Sequence, residues 1–111
     1  MSYDSKITET DLNVLRLIEE NPEISQRMMA SKLGHSLGKI NYSIKLLTDI
    51  GFLKIKNFSK SQNKSGYIYV LTPRAIKQKL IIAKKFLAKK HAEYETLYNY
   101  IHNPDEFIKK E

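Results

Sequence analysis

The chain has 111 residues, enough for one compact domain with an appendage but too few for a large catalytic cleft beside a core. It contains no cysteine, which excludes disulfides, thiolate nucleophiles and zinc–thiolate sites together. No apolar run approaches the roughly 18 residues of a membrane span, and the polar start "MSYDSKITETDL" lacks the apolar stretch of a secretory signal, so a cytoplasmic location with no membrane contact is expected. The net charge of +7 is unevenly placed: residues 36–74 carry seven basic side chains and one acidic, residues 75–90 carry six lysines and no acid, and both ends are net acidic. A positive block of this kind is the footprint of a polyanion-binding surface, with an ordinary solvated surface as the alternative.

In chain order, the first helix is expected to start at Thr8. Thr8 and Asp11 form a T-x-x-D capping pattern, and Ile7 with Leu12 stand at the staple positions around it. Leu12, Leu15 and Ile18 then recur on one face until Pro22 stops the ladder. Ser25 caps a second helix with Ile24 and Met29 as its staple, Met29, Ala30 and Leu33 as its apolar face, and Gly34 in the left-handed position beyond its end. Ser36 caps the third. There Leu37, Ile40, Ile44 and Leu47 fall on one side and Gly38, Asn41, Tyr42, Lys45 and Asp49 on the other, up to Gly51.

"FLKIKNF" and "YIYVLT" then read as two strands around the polar loop "SKSQNKSG". The fold class is therefore mainly α with a small β-hairpin, a winged helix-turn-helix. Thr72 and Pro73 open a last, long helix. Along it Ile76, Leu80, Ala83, Leu87, Lys90, Tyr94, Leu97 and Ile101 follow alternating steps of four and three, a heptad seam expected to form a homodimer contact. Lys90 in that seam is expected to cost stability and fix register, while Ile81, Ile82 and Phe86 widen the apolar face toward the helix's own domain. The expected organisation is 1–73 for the winged helix-turn-helix, 74–103 for the dimerisation helix and 104–111 for a polar tail.

The third helix opens oddly for a core element. Lys39 sits at the positive end of the helix dipole, and Gly38 costs up to about 1 kcal/mol against alanine in a helix. Both choices suit a helix whose N-terminus approaches nucleic acid: free amides and Lys39 meet phosphate, and Gly38 presents no side chain to hold the helix away. Asn41 can pair bidentately with adenine, Lys45 can reach guanine or phosphate, and Tyr42 can donate to phosphate or touch a thymine methyl. Lys54, Lys56, Lys60 and Lys64, with Asn57, Gln62 and Asn63, make the hairpin a basic arm for the minor groove or the backbone. No catalytic constellation accompanies these residues. His35, His91 and His102 lack metal-ligand spacing, there is no Gly-rich phosphate loop, and no cofactor is implied. His91, Tyr94, Tyr98, Tyr100 and His102 cluster on the last helix, where they either pack an interface or line a small-molecule pocket.

The segments "NPEISQ", "SLGKINYSIKLL", "NFSKSQNKSGYIYVLTP" and "KKFLAKKHAEYETL", spanning Asn21 to Tyr98, closely resemble the small MarR-type winged-helix proteins known as EPS-associated transcriptional regulators. The resemblance implies a DNA-binding transcriptional regulator of a bacterial cytoplasm, acting as a homodimer and linked to exopolysaccharide genes. It places Ser36, Lys39, Asn41 and Tyr42 on a recognition helix and Asn57, Ser61, Asn63 and Lys64 on the wing. Two departures stand out. The chain is shorter than typical MarR proteins, so their usual effector pocket is not expected, and Arg74 and Ala75 replace an acidic residue and glycine. A protein–protein adaptor and an architectural DNA binder without sequence preference remain the alternative readings.

Overall fold

The computed structural model describes residues 7–57, 66–103 and 105. Its elements run α1 (Glu9–Glu20), α2 (Gln26–Leu33), α3 (Leu37–Asp49), β1 (Leu53–Asn57), β2 (Tyr67–Leu71) and α4 (Pro73–His102). Each helix begins at the hydroxyl residue expected from the sequence. Thr8 Oγ1 accepts from the Asp11 amide at 3.2 Å while the Thr8 amide donates to Asp11 Oδ2 at 2.9 Å, closing a reciprocal capping box. Ser25, Ser36 and Thr72 accept from the amides of Met28, Lys39 and Ala75, and Pro73 occupies the first turn of α4. The staple pairs Ile7 with Leu12 and Ile24 with Met29 are all buried.

α2 and α3 end by the same device. Gly34 and Gly51 take left-handed φ values of 69° and 82°, which an L side chain adopts only under strain. The next amide then reaches back to a carbonyl five residues earlier: His35 to Ala30 at 3.0 Å and Phe52 to Leu47 at 2.8 Å. Phe52 is therefore a buried residue of the helix end rather than part of the strand. Its carbonyl accepts from the Thr72 amide at 3.0 Å, and Thr72 Oγ1 donates to Gly51 O at 2.5 Å. Arg74 donates to Ile50 O at 3.2 Å, placing a cation at the negative end of α3.

Val14, Leu15 and Ile18 of α1, Met29 of α2, and Ile40, Ile44 and Leu47 of α3 form the core. Leu53 and Tyr69 from the hairpin complete it, together with Ala75 and Ile82 from α4. Leu37, expected on this face, is instead 44% exposed. As the first residue of α3 it lies at the rim of a groove shared with Ile24, Gly66 and Tyr67. The strands pair antiparallel with Leu53 opposite Leu71 and Ile55 opposite Tyr69. The hairpin is held to the helices by the Tyr69 amide, which donates to Pro22 O at 2.9 Å.

α4 runs antiparallel to α1, as the ion pairs Lys79–Glu19 and Lys90–Glu9 show. Lys90, expected to set register in an intermolecular seam, pairs at 3.0 Å with a carboxylate of its own chain. The hydrogen bond and charge of Glu9 hold its pKa above the ordinary lysine value. Ala83, expected in the same seam, packs with Phe86 against the chain's own core, because the apolar face of α4 is wide at this level. Beyond Lys90 the helix leaves the domain behind, and the molecule measures 69 × 31 × 21 Å. Among the described residues no helix is long and apolar enough to cross a membrane.

Among the described residues, one side-chain polar pair is buried in the core. Ser43 of α3 donates to Asp11 Oδ1 at 2.6 Å, and both residues are buried. Replacing Asp11 by alanine removes a helix cap and leaves the Ser43 hydroxyl without its acceptor, at an expected cost of about 2–4 kcal/mol. Urea denaturation of Asp11→Ala, Ser43→Ala and the double variant tests this. The two effects should be non-additive by about 1 kcal/mol or more; strict additivity would show that the pair is not coupled.

Candidate nucleic-acid interface

α3 presents the candidate residues because its other side is committed to the core. With Ile40, Ile44 and Leu47 buried, the positions between them turn outward: Ser36, Gly38, Lys39, Asn41, Tyr42 and Lys45 are all exposed, Tyr42 by 70%. At about 100° per residue, Gly38, Asn41, Tyr42 and Lys45 share an arc of roughly 100° and Lys39 stands about 60° beyond it. The surface divides along this arc. Lys39 and Tyr42 border a groove toward Thr8 and Thr10 at the start of α1. Asn41 and Lys45 border a second groove, of about 390 Å³, whose far wall is Ile55, Tyr67 and Tyr69 of the hairpin.

The first turn of α3 carries no acidic residue, and its Lys39 amide is taken by Ser36 at 3.1 Å. Gly38 has a helical backbone, and a Cβ built there meets nothing within 4 Å. The fold therefore imposes no requirement for glycine at this position. An unfavourable cation, an unneeded glycine and exposed amide dipoles together make an N-terminus suited to an external anion.

The two strands of the hairpin divide their side chains between two faces. Pairing puts Ile55, Tyr67 and Tyr69 on the face toward α3 and Lys54 and Lys56 on the opposite face, so Lys56 does not join Asn41 and Lys45 in their groove. Of Asn57 only the backbone is described, and Lys60, Ser61, Asn63 and Lys64 lie outside the described residues.

Gln26 enters the site unannounced by any sequence pattern. From the first position of α2, its Nε2 donates to the Tyr69 hydroxyl at 3.3 Å and its Oε1 accepts from Asn41 Nδ2 at 3.3 Å. The hairpin, α2 and the outward face of α3 thus meet through one side chain. The only available signal, a polar residue just after a helix cap, is too common to single out.

On α4, Ile76, Leu80, Leu87, Tyr94, Leu97 and Ile101 are exposed, Leu87 by 68%. Tyr94, Tyr98 and His102 stack in a ladder with ring centroids 6.0 and 4.1 Å apart, and His91 lies 3.7 Å from Glu95. Among the described residues no group of His, Asp or Glu is arranged to hold a metal ion.

Residues 7–54 match the family model described as winged helix-turn-helix DNA-binding. No curated protein matches the sequence at a significant level. Among solved structures, the PcaV transcriptional regulator from Streptomyces coelicolor superposes with a TM-score of 0.65 at 16% identity, over 94% of this chain and 83% of that one. A MarR protein from Peptoclostridium difficile gives 0.63 at 18% identity, over 94% and 72%. The adhesin competence repressor from Streptococcus pyogenes gives 0.59 at 22%, over 90% and 67%. At these identities the likeness is one of fold: a winged helix-turn-helix with a long C-terminal helix, as in MarR structures.

Two substitutions on this surface should make the isolated protein more stable. Lys39→Glu completes an S-x-x-E capping box with Ser36 and places an anion at the helix N-terminus, an expected gain of about 0.3–1 kcal/mol. Gly38→Ala, with open space around the new methyl, should gain about 0.4–1 kcal/mol. Chemical denaturation measures both, and a loss of stability in either would mean that these residues serve the fold.

Proposed function

We propose that the protein is a sequence-specific, double-stranded DNA-binding transcriptional regulator acting as a homodimer. The observation that carries the reading is the first turn of α3, where Gly38 and Lys39 run against helix stability and stand exposed beside Asn41, Tyr42 and Lys45. A helix N-terminus with free amides, a cation and no obstructing side chain suits a phosphate backbone, and the polar residues one turn on suit base edges. The match of residues 7–54 to a DNA-binding winged helix-turn-helix supports this, as do fold neighbours named as a transcriptional regulator and a repressor. In this reading α3 enters the major groove, and the hairpin runs alongside with Lys54, Lys56, Lys60, Asn63 and Lys64 at backbone or minor groove.

The dimer rests on α4. Leu80, Leu87, Tyr94, Leu97 and Ile101 form an exposed apolar stripe, most of it beyond the reach of the chain's own core. A second copy laid along that stripe buries it and spaces two α3 helices for half-sites about one helical turn apart. The motifs "SLGKINY" and "NFSKSQNK", which resemble the EPS-associated regulators, extend the proposal to exopolysaccharide genes as targets.

The deciding experiment is selection from a random duplex pool at physiological salt, beside a Lys39→Glu/Lys45→Glu variant. Enrichment of a two-fold symmetric site by the native protein alone is the expected result. Retention without enrichment would indicate an architectural binder, and no retention would leave a protein adaptor. With four or five lysine–phosphate contacts per subunit, affinity should fall with salt at a log–log slope of about −7 to −9 per dimer. In sedimentation velocity, Leu87→Glu/Leu97→Glu should convert a dimer to a monomer without unfolding it; a native protein already monomeric at micromolar concentration would remove the dimer from the reading.

A further inference from the structure

We infer that two copies of the chain pair antiparallel along α4, in the register that sets Leu80 of each opposite the partner's Leu97, so that the overhanging end of each helix covers an apolar groove on the other subunit. The inference rests on the homodimer reading above and deepens it by fixing orientation and register. The spacing of the stripe is the first ground. From Ile76 to Ile101 it advances by 4, 3, 4, 3, 4, 3 and 4 residues, so it reads alike in both directions about a midpoint between Ala88 and Lys89. Reversing one helix therefore sets the partner's Ile101 against Ile76, the partner's Leu97 against Leu80, the partner's Tyr94 against Ala83 and the partner's Lys90 against Leu87. Aliphatic residues meet aliphatic ones, and the smallest seam residue faces the largest, as interdigitating layers require. Lys90 is already paired with Glu9 of its own chain at 3.0 Å, so its stem covers the partner's Leu87 without burying a free charge. A parallel pair would set every residue against its own copy, leaving a void at Ala83 and two lysines together at Lys90.

Charge gives the same answer independently. Residues 73–90 of α4 carry seven basic side chains and no acidic one, whereas residues 91–102 carry Glu93 and Glu95 and no lysine or arginine. Packed helices lie about 8–10 Å apart, close to the Debye length of about 8 Å at physiological salt, so facing segments feel each other's charge. Antiparallel pairing lays the acidic end of one helix over the lysine-rich half of the other. Parallel pairing would lay the two lysine-rich halves together.

The overhang then has a purpose. Beyond Lys90 the helix has left its own domain, yet Tyr94, Leu97 and Ile101 remain apolar and exposed. In the reversed register these residues lie along the partner's Ile76, Leu80 and Ala83, beside that subunit's domain. Ile76 is also a wall of an apolar groove of about 330 Å³ between the end of α1 and β2, where Ile18, Pro22, Ile68 and Val70 line it as well. The incoming Ile101 end closes this groove, which no part of its own chain covers among the described residues.

The chain has no cysteine, so single introduced cysteines report the orientation directly. Leu80 and Leu97 are 62% and 59% exposed, so Leu80→Cys and Leu97→Cys leave the core intact. In the proposed register the two copies of either position stand about 25 Å apart along the pair, at 1.5 Å per residue. A short bismaleimide should therefore give no covalent dimer with either variant alone. In an equimolar mixture it should join about half of the chains, the share of mixed dimers that random exchange of a two-fold pair produces. Sedimentation velocity shows whether each variant still dimerises; where one does not, Lys77→Cys and Tyr98→Cys, which flank the seam at matching levels, take their place in the same experiment. Val70→Glu puts a charge into the groove and should weaken dimerisation about tenfold; an unchanged dissociation constant would overturn the groove's part in the interface. Covalent dimer from each cysteine variant alone would mean parallel pairing and overturn the inference with the homodimer reading intact. A native protein that sediments as a monomer would remove that reading, and this inference with it.

Discussion

A buried carboxylate organises the domain. Asp11 accepts from the Thr8 amide with one oxygen and from the Ser43 hydroxyl with the other, and so works at a helix start and a helix crossing at once. A carboxylate taken out of water is tolerated only where donors replace its hydration. Its position between α1 and α3 therefore dictates both the start of α1 and the rotation of α3 about its own axis. That rotation is what matters for the surface. With Ser43, Ile40 and Ile44 turned inward, the residues one step to either side have no choice but to face solvent.

The exposed face shows the opposite economy. Where the interior is satisfied group by group, the start of α3 departs from what stability alone would select: a lysine in place of an acid and a glycine in place of alanine. Elsewhere the same chain closes a full capping box at Thr8 and Asp11, so the device was within its repertoire. Local rules broken in one place and kept elsewhere are what a surface shaped for an outside partner shows, and they support the proposal made for α3. α4 repeats the contrast along its length. Up to Lys90 it contributes Ala75 and Ile82 to the core and pairs twice with α1, whereas beyond Lys90 it carries tyrosine, leucine and isoleucine into solvent. The proposed dimer and the proposed DNA-facing surface thus occupy separate elements, joined by Thr72 and Arg74, which bond to the backbone at Gly51 and Ile50.

Helix starts were legible because capping is local: a hydroxyl and an amide three residues on are within reach in any context. Gly34 and Gly51 were legible for a similar reason, since a left-handed turn needs glycine whatever surrounds it. Leu37 is more exposed than the rest of its face and Lys90 pairs within its own chain, because periodicity says which residues share a face but not what lies opposite. Leu37 is too near the end of α3 to be covered, and Lys90 happens to pass Glu9.

By itself, then, the sequence determined the order and the ends of the helices, the two strands, the apolar face of each helix and the basic, glycine-bearing start of α3, all of which depend on residues within a few positions of one another. Only the tertiary structure decided that Asp11 meets Ser43 across 32 positions, that Gln26 links Tyr69 to Asn41, and that Lys54 and Lys56 face away from the α3 groove. Those contacts depend on how whole elements rotate and dock. That geometry follows from the packing of the core as a unit, and no single stretch of the chain encodes it.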